Sequence, residues 1–151
     1  MHREEQIVQA AAAALRASSG LAAAVLEHST LSMSAPDQEL PAVCINQGPD
    51  EELAEGGVTN LAYLDSLTTL TFSLYAQAPT QYDVAQELSR LRTEVHKVLL
   101  ASPRTLGLSF VMGVFYRGAT AVEYGEDGEL LSGMRVCTFS FLYRMNIADP
   151  E

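Results

Sequence analysis

Apolar side chains recur every three to four residues in two separate segments, the spacing that places them on one face of a helix. The first segment spans residues 3–18 and includes an alanine run at 10–14, which adds high helix propensity. The second spans residues 81–100. The apolar positions are Ile7, Ala11 and Leu15 in the first segment and Val84, Leu88, Leu91, Val95 and Leu99 in the second. The pattern predicts two amphipathic helices.

Short signals mark the ends of these helices. Gly20 is predicted to stop the first helix. Thr80 stands three residues before Asp83, a variant of the capping box at the start of the second helix. Pro103 is predicted to end that helix, because a proline cannot continue the backbone hydrogen bonds.

Apolar and polar residues alternate in three long segments, which is the period of a strand with one buried face. Residues 64–78 show it most clearly, and residues 108–123 and 130–146 follow the same pattern. The last two segments are joined at residues 125–128, where an Asp-Gly pair favours a tight hairpin turn. We therefore predict three long strands, the last two forming a C-terminal hairpin.

Two short strands and a loop are predicted in the first half of the chain. Residues 22–28 and 40–45 suit short strands, and Pro41 stands near the start of the second, where a missing N–H is tolerated. Residues 47–57 then contain one Pro, three Gly and four acids in eleven residues, too little apolar surface to order the segment. We predict a mobile acidic loop at about residues 47–60.

The order of these elements predicts one α+β domain over residues 1–151. Its architecture would be two layers, a mainly antiparallel sheet with the two main helices packed on one face and a long C-terminal β-hairpin. A chain of 151 residues is long enough to bury a substantial core without metals or disulfides.

Charge is distributed unevenly along the chain. Lys and Arg number 9 and Asp and Glu number 19, a formal net charge of −10. No base lies between Arg16 and Arg90, and residues 17–89 hold ten acids, so the entire net charge falls in that interval. A free-standing nucleic-acid-binding protein needs a basic surface to neutralise phosphates, and this distribution argues against that class.

The hydropathy of the chain gives an expectation about its location. Mean hydropathy is +0.07, and no apolar stretch approaches the ~20 residues that cross a bilayer. The N-terminus has no apolar segment followed by a cleavage site. The sequence predicts a protein that does not enter a membrane and is made and kept in a cytoplasm.

The residues that usually carry chemistry show no catalytic spacing. Cys44 and Cys137 are 93 positions apart without a metal-ligand pattern, and Cys137 falls in the apolar phase of its strand, which predicts a buried thiol. His28 and His96 have no partner at a meaningful spacing, and we predict that His96 is a solvated helix residue. Phosphate-binding, nucleophile-elbow and EF-hand patterns are missing. We predict no catalytic, cofactor or metal site, although the acidic loop has the oxygen chemistry for Ca²⁺.

The remaining features suit a subunit that contacts its neighbours through strand edges and loops. They are the acid-rich loop, the long strands and the Asp-Gly hairpin. An alternative interpretation is equally good for the loop and for the hairpin. The loop could be a solvent-exposed segment without a contact role, and the hairpin could be only an edge of the sheet.

The order of elements and several short stretches resemble the tail terminator, or tail-completion, proteins of long-tailed bacteriophages. The resemblance spans nearly the whole chain and consists of hydrophobic patterns rather than one specific motif. It rests on a helix beginning near Arg3, residues 40–43 leading into Ile45, a long strand closing at Tyr75, the helix at 81–100, Leu106 and Gly107 opening the next strand, and the ending at 136–144.

This resemblance implies a structural virion protein without catalytic residues or cofactors. Its expected form is a homohexameric ring that caps the tail tube, stops its polymerisation and offers a docking surface to the head connector. The expected partners are further copies of the chain, the tail tube protein and the head-tail connector protein. The expected location is the head-proximal end of the virion tail, assembled in the bacterial host cytoplasm. The alternatives are another head-tail neck or minor tail component, or a cytosolic ligand-binding domain or enzyme.

In such a ring DNA passes through the lumen without specific binding, and acids facing it would repel phosphates and avoid trapping the genome. The hairpin tip is a further candidate contact. The candidate residues for the lumen or an interface are Asp50, Glu51, Glu52 and Glu55, with Asp37 and Glu39 behind them, and those for the hairpin contact are Glu126 and Asp127.

Overall fold

Two helices and a six-stranded sheet make up the described part of the chain. The computed structural model describes residues 2–29, 40–52, 63–127 and 130–146. In chain order the elements are α1 (Arg3–Ala17), β1 (Ala24–Glu27), β2 (Ala42–Glu52), β3 (Tyr63–Ala78), α2 (Gln81–Leu99), β4 (Val111–Ala119), β5 (Glu123–Asp127) and β6 (Leu130–Asn146).

The sheet has the strand order β1-β2-β3-β6-β4, and β5 also pairs with β6. The β1–β2 pair is parallel and every other described pair is antiparallel. β6 pairs with β3 over sixteen positions on one side, and β4 and β5 share its other side. This arrangement confirms the predicted α+β class and the pairing of the C-terminal hairpin.

Both helices pack on one face of the sheet. α1 lies over β1 and β2, and α2 lies over β3 and β6. The apolar stripes of the two helices are buried against Phe72, Phe139 and Phe141, as the helical spacing predicted. Cys137 is fully buried in the same core, which confirms its prediction as a buried thiol.

The approach of α2 to the sheet depends on Gly133 of β6. An added Cβ at this position would overlap Val84 Cγ1 and lie 3.1 Å from Leu88 Cδ1. Glycine therefore allows the first turns of α2 to lie directly on the strand, because any side chain there would push the helix away.

The predicted limits of both helices are confirmed to within one residue. The Thr80 hydroxyl accepts a hydrogen bond from the Asp83 amide at 3.1 Å, which caps α2. The predicted stop signal of α1 is wrong, because the helix ends before Gly20, where Ser18 is extended and its amide donates to the Leu15 carbonyl in a tightened last turn.

The predicted loop at residues 47–60 begins too early. Residues 47–52 belong to β2 and pair with β3, where Glu52 lies opposite Ser66. Gly48 and Pro49 lie in a register shift between Gln47 and Asp50. These two residues, typical of turns, therefore form an irregularity within the strand and do not end it. Residues 53–60 lie outside the described residues, and mobility of this segment stays a prediction.

The predicted strand at 108–123 is wrong in its continuity, because it divides into β4 and β5. The break falls at Thr120, whose hydroxyl accepts the Val136 amide at 3.1 Å in place of a backbone carbonyl. The Thr120 carbonyl instead accepts from Arg135 Nε at 2.9 Å. The side chain thus replaces part of the ladder, and regular pairing resumes at Glu123.

Candidate assembly surfaces

Three of the six acids predicted for a lumen or interface lie on β2. Asp50, Glu51 and Glu52 are its last residues, opposite residues 66–68 of β3. The strand β1 covers the outer side of β2 only as far as Ile45, so among the described residues no strand pairs with the outer edge of 46–52. The other three candidates, Asp37, Glu39 and Glu55, lie outside the described residues.

The hairpin candidates lie where β5 meets the start of β6. Glu126 pairs with Leu131, and Asp127 pairs with Leu130 next to the turn. Tyr124 and Leu130 are each 40% exposed there. The hairpin end therefore combines acidic residues with two exposed apolar side chains, but its role as a contact remains untested.

Because of the strand order, the uneven charge of the sequence becomes an uneven distribution of charge across the sheet. β1, β2 and β3 together carry five acids and no base, and they occupy one side of the sheet. β6 and β4 carry three arginines and no acid, and they occupy the other side, where β5 adds three acids. The acids of β1, β2 and β3 are Glu27, Asp50, Glu51, Glu52 and Asp65, those of β5 are Glu123, Glu126 and Asp127, and the arginines are Arg117, Arg135 and Arg144.

Two of these arginines have uncharged partners. Arg117 Nε donates to Ser140 Oγ at 3.0 Å, and Arg135 Nε donates to the Thr120 carbonyl. Within the described residues neither makes an ion pair, whereas Arg144 pairs with Asp65. Arg117 and Arg135 thus have polar, uncharged partners in the described part of the subunit, although β5 places three acids on the same side of the sheet.

His96 differs from its prediction as a solvated residue. Its ring packs 4.3 Å from the Tyr116 ring and 5.2 Å from the Phe139 ring, between centroids. Its Nε2 is buried without a hydrogen-bond partner among the described atoms. This burial, together with the positive charge of Arg92, lowers the pKa of His96. Its position beside Val95, at the border of the apolar stripe, was the signal for partial burial.

His28 also has a partner that sequence spacing did not reveal. Its Nε2 lies 3.0 Å from a carboxylate oxygen of Glu5. The contact joins the end of β1 to the first turn of α1, two elements separated by a turn along the chain. Its residues are both partly exposed, so it resembles an ordinary surface ion pair more than a catalytic one.

The side chains that could take part in catalysis or metal binding do not lie together in the described structure. Cys44 is buried on the sheet face opposite the helices beside Tyr75, while Cys137 lies in the core under α2. Burial raises the pKa of both thiols, which disfavours the reactive thiolate. Among the described residues no three His, Cys, Asp or Glu side chains are grouped to hold a metal ion.

Two shallow depressions lie along α2. The larger, of about 950 Å³, is an open groove beside Tyr82, Gln86 and Arg90, and His28, His96 and Cys44 do not line it. The smaller, of about 350 Å³, includes Arg92 and His96. Both are open surface features rather than the enclosed apolar pockets typical of small-molecule sites. Neither helix in the described ranges is long and apolar enough to cross a membrane.

The fold has a counterpart among solved structures. A chain from the virion of a native gene transfer agent particle matches with a TM-score of 0.57, covering 91% of this chain and 94% of that one. The two sequences are 15% identical, so the comparison establishes a shared fold over nearly the full length of both. No protein-family model and no curated protein sequence matches the chain.

Proposed function

We propose that this protein is a structural virion component that terminates the tail of a phage-like particle. In this role copies of the chain form a ring, expected to be a hexamer, on the end of the tail tube. The ring stops tube polymerisation and offers the surface to which the head connector binds. The proposed location is the head-proximal end of the tail.

The observation that carries the proposal is the fold shared with a gene transfer agent virion chain, which extends over 91% of this protein. A match over that share of the chain concerns the whole domain rather than one common motif. The terminator-like order of elements supports the same role independently, because it rests on hydrophobic patterns in the sequence alone.

The charge distribution is compatible with a ring through which DNA passes. A subunit with a net charge of −10 and no base in residues 17–89 does not offer the basic surface that would bind the genome. Arg117 and Arg135 lie on the β4 and β6 side of the sheet and make no ion pair within the described residues. This distribution supports transit of DNA without specific binding.

The alternative of another neck or minor tail component shares the same fold evidence. The two functions differ in what happens to the tube when the protein is missing. The enzyme alternative requires a site at which chemical groups meet, whereas His28, His96 and Cys44 lie at three separate places in the described structure. We therefore favour an assembly role over a catalytic one.

The test is deletion of the gene from a strain that produces the particles, followed by negative-stain microscopy of the lysate. A terminator is required to stop the tube, so we expect tubes of irregular, excessive length and heads without tails. Supplying the wild-type gene in trans is the control and should restore uniform tails. Tubes of normal length beside unattached heads would instead indicate a neck component, and normal particles would contradict any essential assembly role.

A further inference from the structure

The outer edge of β4 is an unpaired edge of the sheet. β4 is the last strand on the β6 side, and among the described residues nothing pairs with its outer side. Three of its side chains are exposed: Met112 at 41%, Phe115 at 45%, and Arg117. We call these three residues and the strand that carries them the β4 edge.

The composition of the β4 edge is that of a protein interface. Met, aromatic residues and Arg are the types enriched at the buried centres of interfaces, while Lys, Glu and Asp are depleted. β4 contains no Lys, Glu or Asp at all. A single exposed apolar residue would need no explanation, but here two large apolar side chains and an arginine without a carboxylate partner lie along one strand.

Charge complementarity indicates what this edge contacts. Five of the eight acids on the strands lie on β1, β2 and β3, and the other three lie on β5. The outer edge of β2 at residues 46–52 includes three of the five. We call this segment the β2 acidic edge. β4 carries one arginine and no acid, so its edge is complementary in charge to the β2 acidic edge of a second copy placed side by side.

The register of the sheet places the two edges at the same level. Asp50 is opposite Thr68, Thr68 is opposite Phe141, and Phe141 is opposite Val114. The row through Asp50 therefore ends at Val114, and the rows through Gln47 and Asn46 end at Tyr116 and Gly118, on either side of Arg117. A neighbour related by rotation about an axis along the strands would bring its Asp50 level with Val114 of the first copy.

We propose that the β4 edge of one copy docks against the β2 acidic edge of the next, an inference that rests on the proposed ring. Such a contact is heterologous, and repeated contacts of this kind close into a ring when the rotation allows it. Register shifts at Val111/Gly113 and Tyr116/Gly118 interrupt the regular ladder of β4. We therefore expect side chains, rather than continuous strand pairing, to form most of the contact.

The experiment measures self-association by sedimentation velocity at several protein and salt concentrations, with two variants. Arg117→Glu changes only the β4 edge. The triple variant Asp50→Asn, Glu51→Gln and Glu52→Gln removes charge only from the β2 acidic edge. Each variant alone should associate more weakly than wild type, and Arg117→Glu by at least about tenfold, because it places like charges together.

An equimolar mixture of the two variants is the decisive measurement. One intact contact remains, formed by the unchanged β4 edge of the triple variant and the unchanged β2 acidic edge of Arg117→Glu. The mixture should therefore form dimers but no larger species. Arg104→Glu, at an exposed position outside both strands, is the matched charge control and should associate like wild type. Circular dichroism confirms that each variant is folded.

Several results would overturn the inference. They are a wild-type chain that stays monomeric even with tail tubes present, unchanged association of Arg117→Glu, and a mixture that forms no dimer. If Arg117→Glu lost binding to tail tubes while self-association stayed normal, the β4 edge would be a tube contact instead, and the terminator role would stand. If the copies associated through these edges but gene deletion left tail length unchanged, the proposed function would fail and the edge contact would remain.

Discussion

Arg144 of β6 donates hydrogen bonds from Nε and Nη2 to the two carboxylate oxygens of Asp65 on β3, at 2.7 and 3.2 Å. This pair lies where the acid-bearing strands meet the arginine-bearing strands within one subunit. It is the intramolecular equivalent of the contact inferred between copies. The guanidinium of Arg144, mainly through its hydrogen bonds, lowers the pKa of Asp65.

The Asp65–Arg144 pair predicts a small loss of stability in acid. Because the pKa of Asp65 is lower folded than unfolded, the pair stabilises the fold above the unfolded value of about 3.9 and stops doing so as pH falls through the folded value. The side chains are 35% and 48% exposed, so we expect at most about 1 kcal/mol. Urea unfolding should show Asp65→Asn less stable than wild type at pH 7, with the difference narrowing as the pH falls below about 4. A difference that persisted unchanged at pH 2 would contradict this assignment.

Replacing Gly133 by Ala should destabilise the fold by about 1–3 kcal/mol, the usual cost of overpacking a core. The added methyl group overlaps Val84, whose branched side chain has little freedom to move within a helix. The double variant Gly133→Ala with Val84→Ala removes the overlapping atoms and should recover part of the loss relative to the sum of the single changes. Strict additivity in thermal unfolding would show that the overlap is relieved elsewhere.

The setting of His96 predicts a separate pH dependence. Burial against Tyr116 and Phe139, and the nearby Arg92, favour the neutral ring, so the folded pKa is lower than the unfolded one. Protonation therefore favours the unfolded chain, and stability should fall as pH drops below about 6.5. The charged or titratable groups around this site in the described structure are Arg92 and Lys97 on α2 and Tyr116 on β4.

Nuclear magnetic resonance titration of the imidazole protons tests this directly, and we expect a midpoint below 6.5 for His96. The variant His96→Gln should lose the stability change between pH 7 and pH 5. His28→Gln is the control, since His28 lies beside Glu5 away from the α2–β4 contact, and it should retain that change. A midpoint at or above 6.5 for His96 would contradict the prediction.

Local patterns were sufficient to predict α2 and β6. Both segments have an uninterrupted apolar period, and α2 also has a capping residue, Thr80, whose predicted hydrogen bond is formed. The end of β2 was not predictable in this way. Residues 48–52 have the composition of a loop, and they are held as a strand by pairing with β3, a partner distant in sequence that no local window reveals.

The candidate surfaces were likewise predictable from the sequence only in part. The base-free interval is visible in the sequence, but its location on one side of the sheet follows from the strand order. Spacing alone cannot reveal that β6 inserts between β3 and β4. The burial of His96 likewise depends on Tyr116, which lies 20 positions away and meets the ring only after α2 packs on the sheet.

The predicted acidic lumen leads to a test on whole particles. Asp37, Glu39 and Glu55 belong to the base-free interval and lie outside the described residues, so their role stays a prediction. We expect their combined replacement by Lys to slow genome ejection from otherwise complete particles, because lysines facing the lumen would bind phosphates as the DNA slides past. The defect should weaken at high salt, since phosphate contacts are screened and counterion release becomes less favourable. The matched variant with Asn at 37 and Gln at 39 and 55 removes the same charges without adding positive ones, and it should eject at a nearly normal rate. Normal ejection from the Lys variant would place these acids away from the DNA path, whereas tails of irregular length would indicate that they contact the tube.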